Sequence, residues 1–176
     1  FSSTSADFGT ATVLDRFEQI RPKVLLVTTN YQYNGKEISC LEKIAEIVSQ
    51  LPSLEKVIAI GSASSPYLNF TDWIATCNPK SDISVPGGFD RPGFILFSSG
   101  TTGKPKCIVH SAAGVLLKAL SEQRYHLDIK SKDEVFYFTT CGWMMWNWLV
   151  SGLASEATLV LYDGSPFYPQ PVSLID

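Results

Sequence analysis

The sequence predicts an α/β fold, a mainly parallel sheet with helices on both faces, and three observations predict it. Short, wholly apolar runs at 24–27, 57–60 and 94–97 read as strands buried on both sides. Segments with apolar residues at helical spacing separate them, which supplies the crossovers a parallel sheet needs. The 176 residues, 45% apolar and 18% charged, suit one core of ordinary size and exclude disorder.

In chain order, Val13, Leu14, Phe17 and Ile20 mark a first helix, which Pro22 stops. Residues 24–27 form the first strand. Tyr33-Asn34-Gly35-Lys36 is a turn, because Asn and Gly tolerate positive φ. Leu41, Ile44, Ala45, Val48 and Leu51 give a second helix ended by Pro52, and residues 57–60 a second strand closed by Gly61. Residues 62–65 and 78–88 are loops, with a short helix starting at Thr71-Asp72-Trp73-Ile74 between them. Strands three and four are residues 94–97 and 107–109, followed by a helix carrying Val115, Leu116, Ala119 and Leu120. Residues 135–138 and 158–161 make strands five and six. No internal repeat or low-complexity tract is present.

Fourteen basic against 17 acidic residues give a net charge of −3, so no basic surplus calls for a nucleic acid or a lipid headgroup. Cys40, Cys77, Cys107 and Cys141 stand too far apart for a zinc site and are too few for a disulfide scaffold. Four reduced thiols in a cytoplasmic protein are expected, each a buried small residue and not a nucleophile. Residues 1–9 have neither the basic region nor the apolar stretch of a secretory signal. The run 135–155 lacks charge over 21 residues, enough to cross a bilayer. It contains Gly142, Asn147 and Gly152 and is flanked by Asp133, Glu134 and Glu156, so no membrane span is expected there and a buried strand, turn and helix are.

Chemistry concentrates between strands three and four, in Ser98-Ser99-Gly100-Thr101-Thr102-Gly103-Lys104-Pro105-Lys106. Glycines let backbone N–H groups approach an anion, hydroxyls add donors, and lysine adds charge. After a buried strand this is a phosphate-holding design. It is not a Walker loop: the first glycine of Gly-x-x-x-x-Gly-Lys-[Ser/Thr] is replaced by Ser98, and the magnesium-ligating hydroxyl by Pro105. A polar surface loop without function stays open beside the phosphate reading.

This nine-residue segment resembles the phosphate-loop signature of the adenylate-forming enzymes: acyl- and aryl-CoA synthetases, luciferases and peptide-synthetase adenylation domains. A second stretch agrees: His110, a helix from Ser111, then Thr140-Cys141-Gly142-Trp143-Met144-Met145-Trp146-Asn147-Trp148, then Tyr162-Asp163-Gly164-Ser165-Pro166. Its order and spacing are similar to the acetyl-CoA synthetase branch. Within that branch three features favour the members that activate acetoacetate: Ser-Ser-Thr-Ser-x-Asp-Phe-Gly from Ser2, Lys-Cys-Ile-Val-His from Lys106, and Gly-Trp-Met-Met-Trp-Asn-Trp from Gly142. Cys107 stands where the family usually has glycine.

The resemblance implies a ligase that joins acetoacetate to coenzyme A through an acyl-adenylate, using ATP and Mg2+. Ser98, Ser99, Gly100, Thr101, Thr102, Gly103 and Lys104 would hold the ATP phosphates; Lys106 would contact phosphate or simply start the next strand in solvent. Trp143, Met144 and Met145 match positions lining the acyl site and the coenzyme A approach, with plain core packing as the alternative. Residues 1–176 would be part of the large N-terminal domain. The Tyr-Gly-x-Thr-Glu motif with its magnesium-ligating glutamate is absent from these residues, as are the ribose aspartate and the C-terminal lysine. No metal ligand or catalytic residue is therefore assigned here, and the segment alone is expected to be inactive. A short-chain acyl-CoA synthetase for acetate or propionate, and a non-catalytic nucleotide-binding domain, stay open.

Among other residues, Asn147 interrupts an apolar run and is expected to be a satisfied core amide. His110 and His126 have no Cys or carboxylate pattern around them and are expected to be structural. Asp163-Gly164 reads first as a turn.

Overall fold

The structure is a computed structural model and describes residues 1–61, 64–78, 85–98, 103–172 and 174. The chain forms two compact units, Ala6–Ile83 with Asp163–Asp176, and Phe1–Ser5 with Ser84–Tyr162.

In the first of these, helix α1 (Thr10–Ile20) turns Val13, Leu14 and Phe17 inward, the spacing that one apolar helix face requires. Arg21, at φ 48°, ends it in a left-handed conformation with its N–H on the Phe17 carbonyl, and Pro22 follows. Strand β1 (Val24–Thr28) leads into a hairpin of β2 (Asn30–Tyr33) and β3 (Lys36–Ser39). Asn34 at φ 49° and Gly35 at φ 71° make its tip, the positive-φ pair a two-residue hairpin turn needs. Helix α2 (Leu41–Gln50) buries Ile44 and Ile47. Strand β4 (Lys56–Ile60) then pairs parallel with β1, Leu25 opposite Val57, and with the short β5 (Leu68–Asn69). The core is Val13, Leu14, Phe17, Leu25, Ile47 and Leu51. Helix α3 (Phe70–Ala75) is capped by the Asn69 side chain, which accepts the Thr71 and Asp72 N–H groups.

In the second unit, β6 (Pro92–Ser98) and β7 (Lys106–Ser111) form an antiparallel hairpin with Ser98 opposite Lys106 and Phe94 opposite His110. Parallel pairing is closed to them, because their short connection cannot make a crossover. Ser111 caps helix α4 (Ala112–Ser121) by accepting the Gly114 N–H at 3.2 Å. The helix widens into a π-turn over Glu122–His126, which places His126 at its end. Strand β8 (Glu134–Phe136) pairs parallel with β9 (Thr158–Val160). Between them lie α5 (Met144–Val150) and a 3-10 turn (Ser151–Ser155). Gln123, fully buried, joins these pieces: its Nε2 donates to the Trp148 carbonyl at 2.9 Å and its Oε1 accepts from Ser155 Oγ.

The α/β class holds, with parallel pairing in β1–β4–β5 and in β8–β9. Strands five and six are shorter than their apolar runs: pairing stops at Phe136 and Val160. The uncharged run 135–155 divides among a strand, a turn and a helix, and among the described residues no helix is long and apolar enough to cross a membrane. The cysteines depart from expectation. Cys40 is buried, but Cys77 and Cys107 are exposed and Cys141 is only partly covered.

Candidate functional site

The β6–β7 hairpin delivers its polar tip out of an apolar pair of strands. Ser98 is the last residue of β6 and Lys106 the first of β7, held opposite each other. Ser99, Gly100, Thr101 and Thr102 lie outside the described residues. Gly103 sits at φ 99° with nothing within 4 Å of where a side chain would start. Lys104 and Lys106 are both exposed. Two ammonium groups two residues apart beside a glycine can neutralise a polyanion at this root.

The turn before α5 is fixed from far away in sequence. Ser3 Oγ donates to the Cys141 carbonyl at 2.7 Å, and Ser5 Oγ lies 2.6 Å from Thr140 Oγ1 and accepts the Gly142 N–H at 2.9 Å. The Trp143 N–H closes the turn on the Thr140 carbonyl at 3.0 Å. Sequence reasoning noticed these serines only through the resemblance and gave them no role, because no local pattern signals partners more than 130 residues away. Burial pushes the Cys141 thiol above its ordinary pKa, with a backbone hydrogen bond opposing.

Trp143 is 66% exposed and Met144 58%, while Met145 is partly covered. Plain core packing therefore does not describe Trp143 or Met144 within this chain. A cavity of about 320 Å³ opens between the β6–β7 pair, α4 and α5, with Phe94, Leu96, His110, Val115, Met144 and Asn147 on its walls. Phe94 and Leu96 share the cavity face because alternate strand residues point the same way. Of the three residues expected to form an acyl wall, Met144 lines it; Trp143 and Met145 do not. His110, expected to be structural, also faces this space.

Asn147 corrects the sequence reading. It is 5% exposed, as expected, but its Nδ2 has no hydrogen-bond partner. Its position on α5 is set by helical spacing from Met144, one turn earlier, and its amide lacks a neighbouring acceptor. A buried donor left so costs on the order of 1–3 kcal/mol. Asp163-Gly164 is a bend, with Gly164 at φ 124°. Among the described residues no three His, Cys, Asp or Glu side chains gather as a metal site.

A family described as AMP-binding enzyme matches residues 3–176. The acetoacetyl-coenzyme A synthetase of Rhizobium meliloti (strain 1021) is 46% identical over 183 residues, covering 100% of this chain and 28% of that protein. The acetoacetyl-CoA synthetase of Gallus gallus is 47% identical over 191 residues, with the same coverage of 100% and 28%. Among solved structures, acetoacetyl-CoA synthetase from Streptomyces lividans superimposes with a TM-score of 0.85 at 43% identity, over 93% of this chain and 26% of that one. The chain thus spans little more than a quarter of the length of these relatives. With the match running nearly end to end, the chain belongs to the AMP-binding enzyme family.

Proposed function

We propose that residues 1–176 are part of the N-terminal domain of an acetoacetyl-CoA synthetase, which converts ATP, acetoacetate and coenzyme A to AMP, diphosphate and acetoacetyl-CoA. One observation carries the reading: relatives of that name align along 95% or more of this chain at 41–47% identity. In the first step a carboxylate oxygen of acetoacetate attacks the α-phosphorus of ATP and the bond to pyrophosphate breaks. In the second, the coenzyme A thiol loses its proton, its sulfur attacks the acyl carbon, and AMP leaves.

The first step brings an anion onto a polyanion, so charge must be neutralised before attack. Ser98, Ser99, Gly100, Thr101, Thr102, Gly103 and Lys104 are the groups proposed to do this at the β- and γ-phosphates, where pyrophosphate charge develops. Lys106, exposed at the start of β7, either joins them or stays in solvent. Trp143, Met144 and Met145 are proposed for the acyl side and the coenzyme A approach. Magnesium finds no set of His, Cys, Asp or Glu ligands among the described residues. A cytoplasmic setting, where ATP and coenzyme A are at hand, suits the free cysteines.

The test is pyrophosphate release by the full-length protein with acetoacetate, acetate and propionate. Acetoacetate is expected to be the preferred acid. A clear preference for acetate overturns the assignment in favour of another short-chain acyl-CoA synthetase.

A further inference from the structure

We propose that Ser3 and Ser5 are positioning residues for the acid substrate, acting through a tether, Phe1–Ser5, that holds the hairpin wall and the α5 wall of the cavity at a fixed separation. This role rests on the proposed reaction and names what seats its acyl group.

The tether is bonded at both ends. On the hairpin side the Phe1 nitrogen donates to the Gly93 carbonyl at 2.9 Å, and the Phe1 carbonyl accepts the Ile95 N–H at 2.8 Å. Ser2 Oγ donates to the Ile95 carbonyl at 2.8 Å. The Phe1 ring meets the Phe94 ring edge-on, with centroids 6.1 Å apart, and Phe94 lines the cavity. On the α5 side the Ser3 and Ser5 hydroxyls engage Thr140, Cys141 and Gly142, directly before Trp143. Met144, the first residue of α5, lines the same cavity.

Helix α5 takes no side-chain cap at Trp143, the position where a helix usually fixes its start. Its start therefore depends on the preceding turn, and that turn on the two serines. Four residue steps from Phe1 to Ser5 span about 14 Å at most. A chain so short, fixed at both ends, limits how far the walls can part. Ser98, at the root of the phosphate-holding tip, is four residues along β6 from Phe94, about 13 Å. Holding the α5 turn against β6 thus also sets where an acid in the cavity stands relative to the triphosphate. Reaction between two held groups is sensitive to displacements of about 1 Å.

The experiment measures pyrophosphate release by the full-length wild type, Ser5→Ala, Ser3→Ala and Ser3→Thr, varying acid and ATP separately. Each protein is assayed well below its own melting temperature, so that the folded fraction is the same. Ser5→Ala, which loses both side-chain contacts to the turn, should raise the KM for acetoacetate roughly tenfold or more. Ser3→Ala should raise it about fivefold. Ser3→Thr, which keeps the hydroxyl at a partly exposed site, should restore the wild-type value. The KM for ATP should hold throughout, because these hydroxyls bond the turn and not the hairpin. A fall in kcat with both KM values unchanged marks structural support only and overturns the role. So does a parallel rise in both KM values, or a Ser3→Thr variant no better than Ser3→Ala. Wild type that uses acetate or propionate but not acetoacetate overturns the choice of acid, and the preferred acid then decides the tether by the same comparison. Wild type that releases pyrophosphate with none of the three overturns both.

Discussion

The Ser5 hydroxyl sits 2.6 Å from the Thr140 hydroxyl, and the same Ser5 oxygen accepts the Gly142 N–H. One small side chain, 7% exposed, thereby orients the turn that launches α5, with Met144 and Asn147 on it. Ser5→Ala leaves the Gly142 N–H without its acceptor and the Thr140 hydroxyl without its neighbour. The expected loss is about 1–3 kcal/mol of stability, read from urea denaturation of the full-length protein. Ser3→Ala, which removes a single bond to the Cys141 carbonyl, should cost about 1 kcal/mol.

Lys104→Ala tests the phosphate-holding tip. In the full-length protein it should lower ATP-dependent pyrophosphate release by roughly 10²-fold or more, the usual effect of deleting one charge-stabilising donor. Unchanged kinetics would remove Lys104 from the phosphates.

Gly93 lies where the β6–β7 register shifts, between Pro92 and Phe94. A side chain there would begin 2.7 Å from the Ala112 Cα, at the start of α4. Backbone cannot yield as a flexible side chain can, so Gly93→Ala should destabilise by about 1–3 kcal/mol. Because Phe94 follows directly, the cavity should deform too. A thermal melt indistinguishable from wild type would contradict this.

Burial raises the thiol pKa of Cys40, against the opposing pull of the Lys43 ammonium, and that of Cys141. The folded protein therefore favours the neutral thiols, while an unfolded chain ionises them near about pH 8.5. Their contribution to stability is complete below that pH and is lost as pH rises through the folded-state values. Denaturation midpoints should fall on the alkaline side of about pH 8.5, and Cys40→Ala should flatten part of the decline. At neutral pH, iodoacetamide should modify the exposed Cys77 and Cys107 before the other two.

Much of the framework was legible because burial leaves a periodic trace. Val13, Leu14 and Phe17 marked α1 because they face the core. The uniform apolar runs marked β1 and β4, but burial on both sides does not hold for them in this chain, since Leu25, Ile58 and Ala59 are buried while Val24, Leu26 and Ile60 are exposed. Strands β2 and β3 left no such trace: Asn30, Gln32, Lys36 and Glu37 are polar, and only the Asn34-Gly35 turn between them could be read. Cys77 and Cys107 were expected inside because thiols usually are, but an exposed helix end and an exposed strand face left them in solvent. The polar tip was legible from composition, whereas Ser99, Gly100, Thr101 and Thr102 lie outside the described residues. Asn147 illustrates the remaining limit. Its burial followed from its apolar neighbours, but its missing partner depends on what four separate elements place around it. Gln123 went unnoticed for the same reason: its partners, Trp148 and Ser155, come from another helix and turn.

The serine contacts of the first five residues also constrain how the molecule is made. Ser5 leaves the ribosome 135 residues ahead of its mate Thr140. At translation speeds of about 5–20 residues per second, the wait is on the order of ten seconds. During it the segment Ala6–Ile83, the larger part of the other compact unit, leaves the ribosome. The serine-bearing strap can thus dock on this turn only once its distant partners have been made.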